Sequence, residues 1–154
     1  MPIKEHASEL LLSYISRNYD LHVTEATHTG MAYDAFLDEL LFREVEHRRE
    51  NRLRKRISSA RFPCRKYLVD FEKAPFTKRT AQTIHSFETL DFIRNKENII
   101  LIGNPGVGKT HLAIALGIEA CMQDMRVLFA HVPNLVIELR EAMSQNQISS
   151  FRKK

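Results

Sequence analysis

The chain has 154 residues, of which 44% are apolar and 27% charged, and a formal net charge of +4. These values are ordinary for a globular protein, and no apolar run approaches the roughly 18 residues that a membrane span requires. The first residues lack the pattern of a signal peptide, so we expect a cytoplasmic protein. Cys64 and Cys121 are far apart and have no histidine at zinc-ligand spacing. This predicts two reduced thiols, each buried or half-buried, and no metal site apart from one tied to a nucleotide.

The N-terminal part of the chain is predicted to be helical and basic. A short helix is indicated near residues 9–15, and the threonine-containing stretch up to Gly30 has the composition of a loop. A long helix is predicted from about Asp34 to Ala60, because apolar residues recur at four-residue steps while acids gather at its start and cations at its end. It must end before Pro63, which disfavours helical geometry in the preceding residue. The recurring apolar positions are Leu37, Leu41, Val45, Leu53 and Ile57.

The second half of the chain alternates between strand-like and helical patterns. Residues 98–102 and 126–130 are apolar runs typical of strands in a parallel sheet, and the first of them predicts a strand buried on both faces. Residues 109–122 are apolar nearly all round, which predicts a heavily buried helix. The remaining elements are a short strand-like segment at 66–71 and helices at about 78–94 and 133–142. We therefore predict an α/β fold, with a basic helical region over residues 1–66 and a phosphate-loop core over residues 67–154.

A glycine-rich loop lies between the first strand and the helix that follows it. Its residues Gly103-x-x-x-x-Gly108-Lys109-Thr110 match the Walker A pattern in full. Glycines let successive amides point into one concavity, and the helix adds its positive end. Lys109 would reach the β- and γ-phosphates, and the Thr110 hydroxyl would ligate Mg²⁺. The pattern predicts an ATP and Mg²⁺ site formed by Gly103, Asn104, Pro105, Gly106, Val107, Gly108, Lys109, Thr110 and His111.

His111 has two interpretations. Its ring either packs inside the first turn of the helix or contacts a phosphate, and packing is favoured. An incidental glycine turn is the alternative for the whole loop, but the flanking strand and helix patterns argue against it.

The sequence after Thr110 contains no acid at a position expected for Walker B. Such an aspartate ends a later buried strand, holds Mg²⁺ and orients the attacking water. The acids after Thr110 do not follow an apolar strand; they are Glu119, Asp124, Glu138 and Glu141. The residues therefore predict weak ATP binding and negligible hydrolysis by this chain, although Lys109 occupies a position that is catalytic in ATPases.

The region from His47 to Lys66 is strongly basic. It holds nine Lys or Arg residues against the single acid Glu50. A surface that binds the phosphates of duplex DNA is the favoured interpretation. A solvated helix face and a docking site for an acidic protein are the alternatives. The candidate DNA-binding residues are Arg48, Arg49, Arg52, Arg54, Lys55 and Arg56.

The chain resembles the IstB helper ATPases of bacterial insertion sequences. The residues that carry the resemblance are the loop and helix from Gly103 to Gly117, then residues 126–129 and 135–142. Residues 36–56, 60–63 and 90–93 are also similar to that family. The resemblance implies an AAA+ ATPase that binds DNA with ATP, forms homo-oligomers and directs a transposase to a target.

The resemblance also implies a core that is incomplete. The chain ends where the Walker B strand of the family would begin, so the predicted AAA+-type core is truncated after its second strand. In that family the first two strands are not neighbours, because the third and fourth lie between them. Two alternatives for the function stay open. One is a helicase loader, a close relative that acts on a protein, and the other is a DNA-binding remnant with a vestigial phosphate loop.

Overall fold

The computed structural model describes residues 2–72 and 76–151 and is built from helices. The chain falls into two compact units, Met1–Lys55 and Arg56–Lys154. The helices are α1 (Pro2–Glu9), α2 (Ser13–Thr29), α3 (Tyr33–Ser59), α4 (Lys78–Phe87), α5 (Asp91–Arg94), α6 (Lys109–Met122), α7 (Val132–Ser144) and α8 (Ile148–Phe151), with one 3₁₀ turn at Leu68–Asp70. The long helix predicted over about residues 34–60 is thereby confirmed.

The first unit has a small core between its helices. Ala7, Ile15 and Leu40 are buried there, with Leu12 and Phe36 packed at the edge. Burial of these side chains favours the packing of α1, α2 and the first part of α3, since each removes apolar surface from water. The apolar positions Leu37, Leu41 and Val45 of α3 are not part of this core and stay exposed.

The stretch expected to be a loop before Gly30 is helical instead. Its threonines bond back to the carbonyl four residues earlier, as in Thr24 Oγ1 to Asp20 O at 2.8 Å and Thr27 Oγ1 to Val23 O at 2.7 Å. These bonds satisfy the hydroxyls inside the helix, which composition alone does not indicate. Gly30 then ends α2 in the left-handed conformation, with φ of 64°.

A buried carboxylate caps the start of α2. Leu12 precedes the helix and offers no side-chain acceptor, so the first-turn amides need another partner. Glu44, on α3 and 3% exposed, accepts hydrogen bonds from the amides of Tyr14 at 2.8 Å and Ile15 at 3.2 Å. Arg48 donates to the other oxygen of Glu44 at 2.9 Å and to the Leu11 carbonyl at 2.7 Å. These bonds therefore tie the two helices together.

The pKa of Glu44 reflects this arrangement. Burial by itself raises the pKa of the carboxyl. The hydrogen bonds from Arg48 and from the amides of Ile15 and Tyr14, with the charge of Arg48, outweigh burial and hold the pKa below its ordinary value.

The second unit packs around α6. The side chains of this helix are buried nearly all round, as the sequence predicts; the buried positions are Leu112, Ile114, Ala115, Leu116, Ile118, Ala120 and Cys121. Phe71, Ile84 and Leu90 pack with Leu112 and Leu116 in the same cluster. The cluster fixes the position of the first turn of α6.

Both cysteines are free thiols, as predicted, but the predicted burial is wrong for Cys64. Cys64 is exposed, whereas Cys121 is fully buried on α6. Burial raises the pKa of the Cys121 thiol, and the nearby Arg56 charge opposes this only in part.

The predicted α/β fold is wrong for the described part of the chain, which contains no strand and no sheet. The runs at residues 98–102 and 126–130 are present but not paired as strands, and part of the strand-like segment at 66–71 forms the 3₁₀ turn. Ile100 is 79% and Ile102 91% exposed, so burial on both faces is also wrong. The amide of Phe129 bonds instead to the Ala60 carbonyl at 2.8 Å.

The physical reason lies in the partners that a strand requires. An extended segment becomes a strand only when a neighbouring segment pairs with its amide and carbonyl groups. An apolar run indicates which segments favour an extended backbone, but it does not identify a pairing partner.

No helix in the described ranges combines the length and apolarity that a bilayer crossing requires.

Candidate functional site

Two glycines shape the loop that precedes α6. Gly106 has φ of 84° and Gly108 has φ of 89°, a region that residues with a Cβ rarely adopt. Gly108 is also the N-cap of α6, and the carbonyl of Gly108 accepts the first helical bond from the Leu112 amide at 2.9 Å. The amides of the first helical turn have no acceptor within the helix. The loop thus delivers unpaired amides and the positive helix end to one place, which is the arrangement that binds anions.

Lys109 lies across this loop. Its Nζ donates to the carbonyl of Gly103 at 2.8 Å and to that of Asn104 at 2.7 Å. The ammonium group is therefore held over the concavity by two neutral acceptors. A phosphate is a stronger partner than a carbonyl for this group, because both members of the bond are then charged.

Phe71 packs directly against the loop, and sequence reasoning missed it. A Cβ placed on Gly108 would lie 3.0 Å from Cε2 of Phe71, so a larger residue there would force the ring to shift by a few tenths of an ångström. The ring also packs edge-on against His111, with centroids 5.3 Å apart. The only sequence signal was the apolar run at 66–71, which does not say what the ring touches.

Gly108→Ala is expected to lower the free energy of unfolding by about 2–3 kcal/mol, from the strained φ and the contact with Phe71. Gly106→Ala is the matched control, because it has a similar φ but nothing within 4 Å of the added Cβ. We expect the control to cost about 1–2 kcal/mol. Urea unfolding measures both variants, and equal losses would contradict the proposed role of Phe71.

His111 takes the packing arrangement. Its Nε2 donates to the Tyr67 carbonyl at 3.3 Å, and its ring contacts Phe71. The side chain thereby joins the 67–71 segment to the first turn of α6. A contact between His111 and a phosphate stays a prediction.

Thr110 lies in the first turn of α6 and is exposed. Its hydroxyl is available to a metal ion held by phosphates, which is how Mg²⁺ is usually bound with few protein ligands. Among the described residues, no group of three or more His, Cys, Asp or Glu side chains is arranged to hold a metal ion. The fit to Mg²⁺ therefore rests on one hydroxyl, and Mg²⁺ stays a prediction.

A cavity of about 220 Å³ adjoins the loop. Phe71 and Phe76 form one wall, with their rings stacked at a centroid distance of 5.8 Å. The other walls come from α4, from residues 99–102 and from the loop residues Val107, Gly108 and Lys109. The cavity is mostly apolar, as small-molecule sites are, and it opens beside the lysine.

The six candidate DNA-binding residues differ in their surroundings. Arg48 is engaged with Glu44 and Leu11, Arg49 pairs with Glu46 at 2.6 Å, and Arg54 lies 3.6 Å from Glu50. Arg56 is mostly buried and pairs with Asp124 at 2.6 Å. Arg52 and Lys55 are exposed and have no ion pair with any residue in the described ranges. Arg48 and Arg56 thus have structural partners, and DNA binding by all six stays a prediction.

A glycine-rich turn that leads into a buried helix, with a lysine at the helix start, defines a phosphate-loop protein. Residues 5–153 match the family model described as IstB-like ATP binding protein. The chain belongs to that family.

Curated relatives agree with the family model. A Pseudomonas aeruginosa protein of insertion sequence IS21, named as ATP-binding, is 33% identical over 141 residues, which cover 92% of this chain and 53% of the relative. A Geobacillus stearothermophilus protein of insertion sequence IS5376, named likewise, is 30% identical over 146 residues, covering 95% and 58%. A third, of insertion sequence IS232 from Bacillus thuringiensis subsp. berliner, is 34% identical over 109 residues, covering 70% and 43%. The chain spans about half the length of the curated relatives it matches.

Proposed function

We propose that this chain binds ATP through residues Gly103–Thr110 and serves as part of an insertion-sequence helper protein. The observation that carries the proposal is Lys109, which lies at the start of α6 over a loop bent by two glycines of positive φ. The triphosphate displaces the two carbonyls from the lysine and accepts hydrogen bonds from the first-turn amides. The names of the relatives, which refer to ATP binding, support the same ligand.

The position of the triphosphate also indicates where the base and Mg²⁺ would bind. The base enters the apolar cavity beside the loop, where the rings of Phe71 and Phe76 supply stacking surface. The Thr110 hydroxyl would hold Mg²⁺, which would supply positive charge beside the phosphates. Hydrolysis by this chain is negligible, because none of the acids after Thr110 follows an apolar run as a Walker B acid does. Magnesium-dependent turnover that disappears in Lys109→Ala would contradict that last statement.

We propose further that the protein binds duplex DNA and assists a transposase, and that the full-length protein forms homo-oligomers. Support for DNA binding comes from the exposed cations of α3, chiefly Arg52, Arg54 and Lys55. Phosphate contacts by such residues are independent of base sequence and weaken with salt. Arg48 and Arg56 contribute less, since Arg48 is paired with Glu44 and Arg56 with Asp124.

Arg54→Ala with Lys55→Ala is expected to weaken duplex binding and to lower the salt slope by about 1.8, which corresponds to two lost phosphate contacts. Lys78→Ala with Arg79→Ala is the matched control, because it removes the same charge from an exposed pair on another helix. Fluorescence anisotropy over a range of salt concentrations measures both. Equal slopes for the two variants would contradict a DNA surface on α3.

Duplex-binding titrations, together with a helicase-capture experiment, distinguish the alternative functions. If ATP and Lys109→Ala leave duplex binding unchanged, the chain is a DNA-binding remnant whose phosphate loop does not act on DNA. If the chain captures a replicative helicase in a complex that survives high salt, the helicase-loader function is favoured. Duplex binding that ATP strengthens and salt abolishes supports the insertion-sequence helper.

A further inference from the structure

His111 contacts the residues on both sides of the 3₁₀ turn Leu68–Asp70. On the N-terminal side of the turn, Nε2 of His111 donates to the Tyr67 carbonyl at 3.3 Å. On the C-terminal side, the His111 ring packs edge-on against Phe71 at a centroid distance of 5.3 Å. His111 belongs to α6, so these two contacts hold the turn against the helix that begins with Lys109.

Phe71 connects this turn to the cavity beside the phosphate loop. Its ring is 9% exposed, packs in the core cluster of the second unit and also lines the cavity. Phe76 stacks on it with an angle of 18° between the ring planes, so a shift of Phe71 would move the second ring as well. Leu68 packs against the core, whereas Val69 is 89% exposed and adds little. The two contacts of His111 are therefore a large part of what holds this aromatic wall.

The hydrogen bond to Tyr67 decides what the imidazole can offer to a ligand. A carbonyl oxygen only accepts, so Nε2 of His111 carries a proton. In the neutral ring with that tautomer, Nδ1 is an acceptor and cannot donate to a phosphate oxygen. A phosphate contact would require a second proton on the ring or loss of the bond to Tyr67. The observed contacts of His111 thus favour a role on the side of the base.

We propose that His111 is a positioning residue for the base of the bound nucleotide and contributes little to the binding of its phosphates. It holds Phe71, and through Phe71 also Phe76, where the two rings stack on the base. Rings that are already fixed lose less conformational entropy when the base binds. This inference rests on the proposed ATP site, and it assigns affinity for the base to His111 and affinity for the phosphates to Lys109.

A comparison of ATP with inorganic tripolyphosphate tests this division, because tripolyphosphate presents the phosphates without the base. His111→Gln and His111→Leu are the matched variants. Both substituents are similar in size and favour helices. Only glutamine has an Nε2 donor, which lies as many bonds from the backbone as Nε2 of histidine. Isothermal titration calorimetry of the full chain, at one Mg²⁺ concentration for both ligands, measures the affinities.

His111→Leu is expected to weaken ATP binding roughly tenfold and tripolyphosphate binding less than about twofold. His111→Gln is expected to stay within about threefold of the wild type for both ligands, because it keeps the bond to the Tyr67 carbonyl. Phe76→Leu is expected to show the same selective loss of ATP binding, since it removes the second ring. His85→Ala is the control, because this exposed histidine of α4 lies outside the cavity lining, and it is expected to change neither affinity.

Three results would overturn the inference. Equal losses of ATP and tripolyphosphate binding in a folded His111→Leu would indicate a phosphate contact or a general structural role. Unchanged ATP binding in that variant would show that the aromatic wall does not depend on His111. Equal affinity of the wild type for the two ligands would show that the base adds nothing, although the phosphate loop would stand.

Failure of the proposed ATP site gives a different result, because the wild type then binds neither ligand. Circular dichroism establishes whether each variant is folded. Should His111→Leu be unfolded, His111→Ala takes its place with the same expectations, since alanine favours a helix and introduces no new bulk.

Discussion

Lys109→Ala is expected to weaken ATP binding by at least about 100-fold, which corresponds to the loss of two charge-assisted hydrogen bonds to phosphate. In the empty loop the same ammonium bonds to the carbonyls of Gly103 and Asn104. Both of these residues are exposed, so water replaces the lysine there at little cost. The free energy of unfolding is therefore expected to change by less than about 1 kcal/mol, and the effect falls on binding.

Equilibrium titration with a fluorescent ATP analogue and Mg²⁺ measures this loss. Lys78→Ala serves as the control, because it removes an exposed lysine of the same unit that lies outside the loop. Saturable uptake of equal affinity in Lys109→Ala and the wild type would refute the proposed site. If Lys109→Ala lowers the free energy of unfolding by as much as it weakens the free energy of ATP binding, the lysine is structural instead.

Glu44→Ala is expected to lower the free energy of unfolding of the first unit by about 2–4 kcal/mol. The amides of Tyr14 and Ile15 lose their acceptor, and Arg48 loses its carboxylate partner. Arg48 is 45% exposed, so its charge regains water, which keeps the cost below that of a fully buried pair. Amide hydrogen exchange at residues 14 and 15 reports the loss directly.

Glu46→Ala is the control for Glu44→Ala. Glu46 lies on the same helix and pairs with Arg49 at 2.6 Å, but both side chains are exposed. The expected cost of this substitution is below about 1 kcal/mol, because exposed ion pairs contribute little. If the two variants unfold alike, the capping role of Glu44 is wrong.

The dependence of stability on pH follows from the lowered pKa of Glu44. A carboxyl with a depressed pKa in the folded state stabilises the fold above its unfolded pKa, about 4.3. This contribution is lost as the pH falls below that value through the folded pKa. The stability difference between the wild type and Glu44→Gln is therefore expected to shrink on acidification from pH 6 to pH 3, and unfolding in urea at each pH measures it.

The sequence predicted several elements correctly because each depends on residues that are close together in the chain. The length of α3 follows from its apolar recurrence and from Pro63, which ends the helical geometry. The burial of α6 follows from a helix that is apolar nearly all round, since such a surface must be removed from water. Gly108, a fixed glycine of the Walker A pattern, has a positive φ, which a residue with a Cβ rarely adopts.

The failures concern partners that are distant in the chain. Residues 98–102 have the composition of a buried strand, yet a strand depends on a neighbour that no local pattern identifies. In the sequence, Glu44 does not differ from other acids of a helix. It caps α2 only because the first-turn amides of that helix approach it in the folded chain. Arg48 counts as one more cation in the basic stretch, although it is engaged with Glu44 and Leu11.

By itself, the sequence determined the phosphate loop, the buried helix behind it and the membership of a family, because each depends on residue types at fixed spacing along the chain. Tertiary structure alone decided which charges are free, which apolar residues stay exposed on α3 and what packs against Gly108. Those outcomes depend on side chains up to tens of residues apart meeting in space. The free energy of such contacts comes from burial and pairing, which spacing along the chain does not specify.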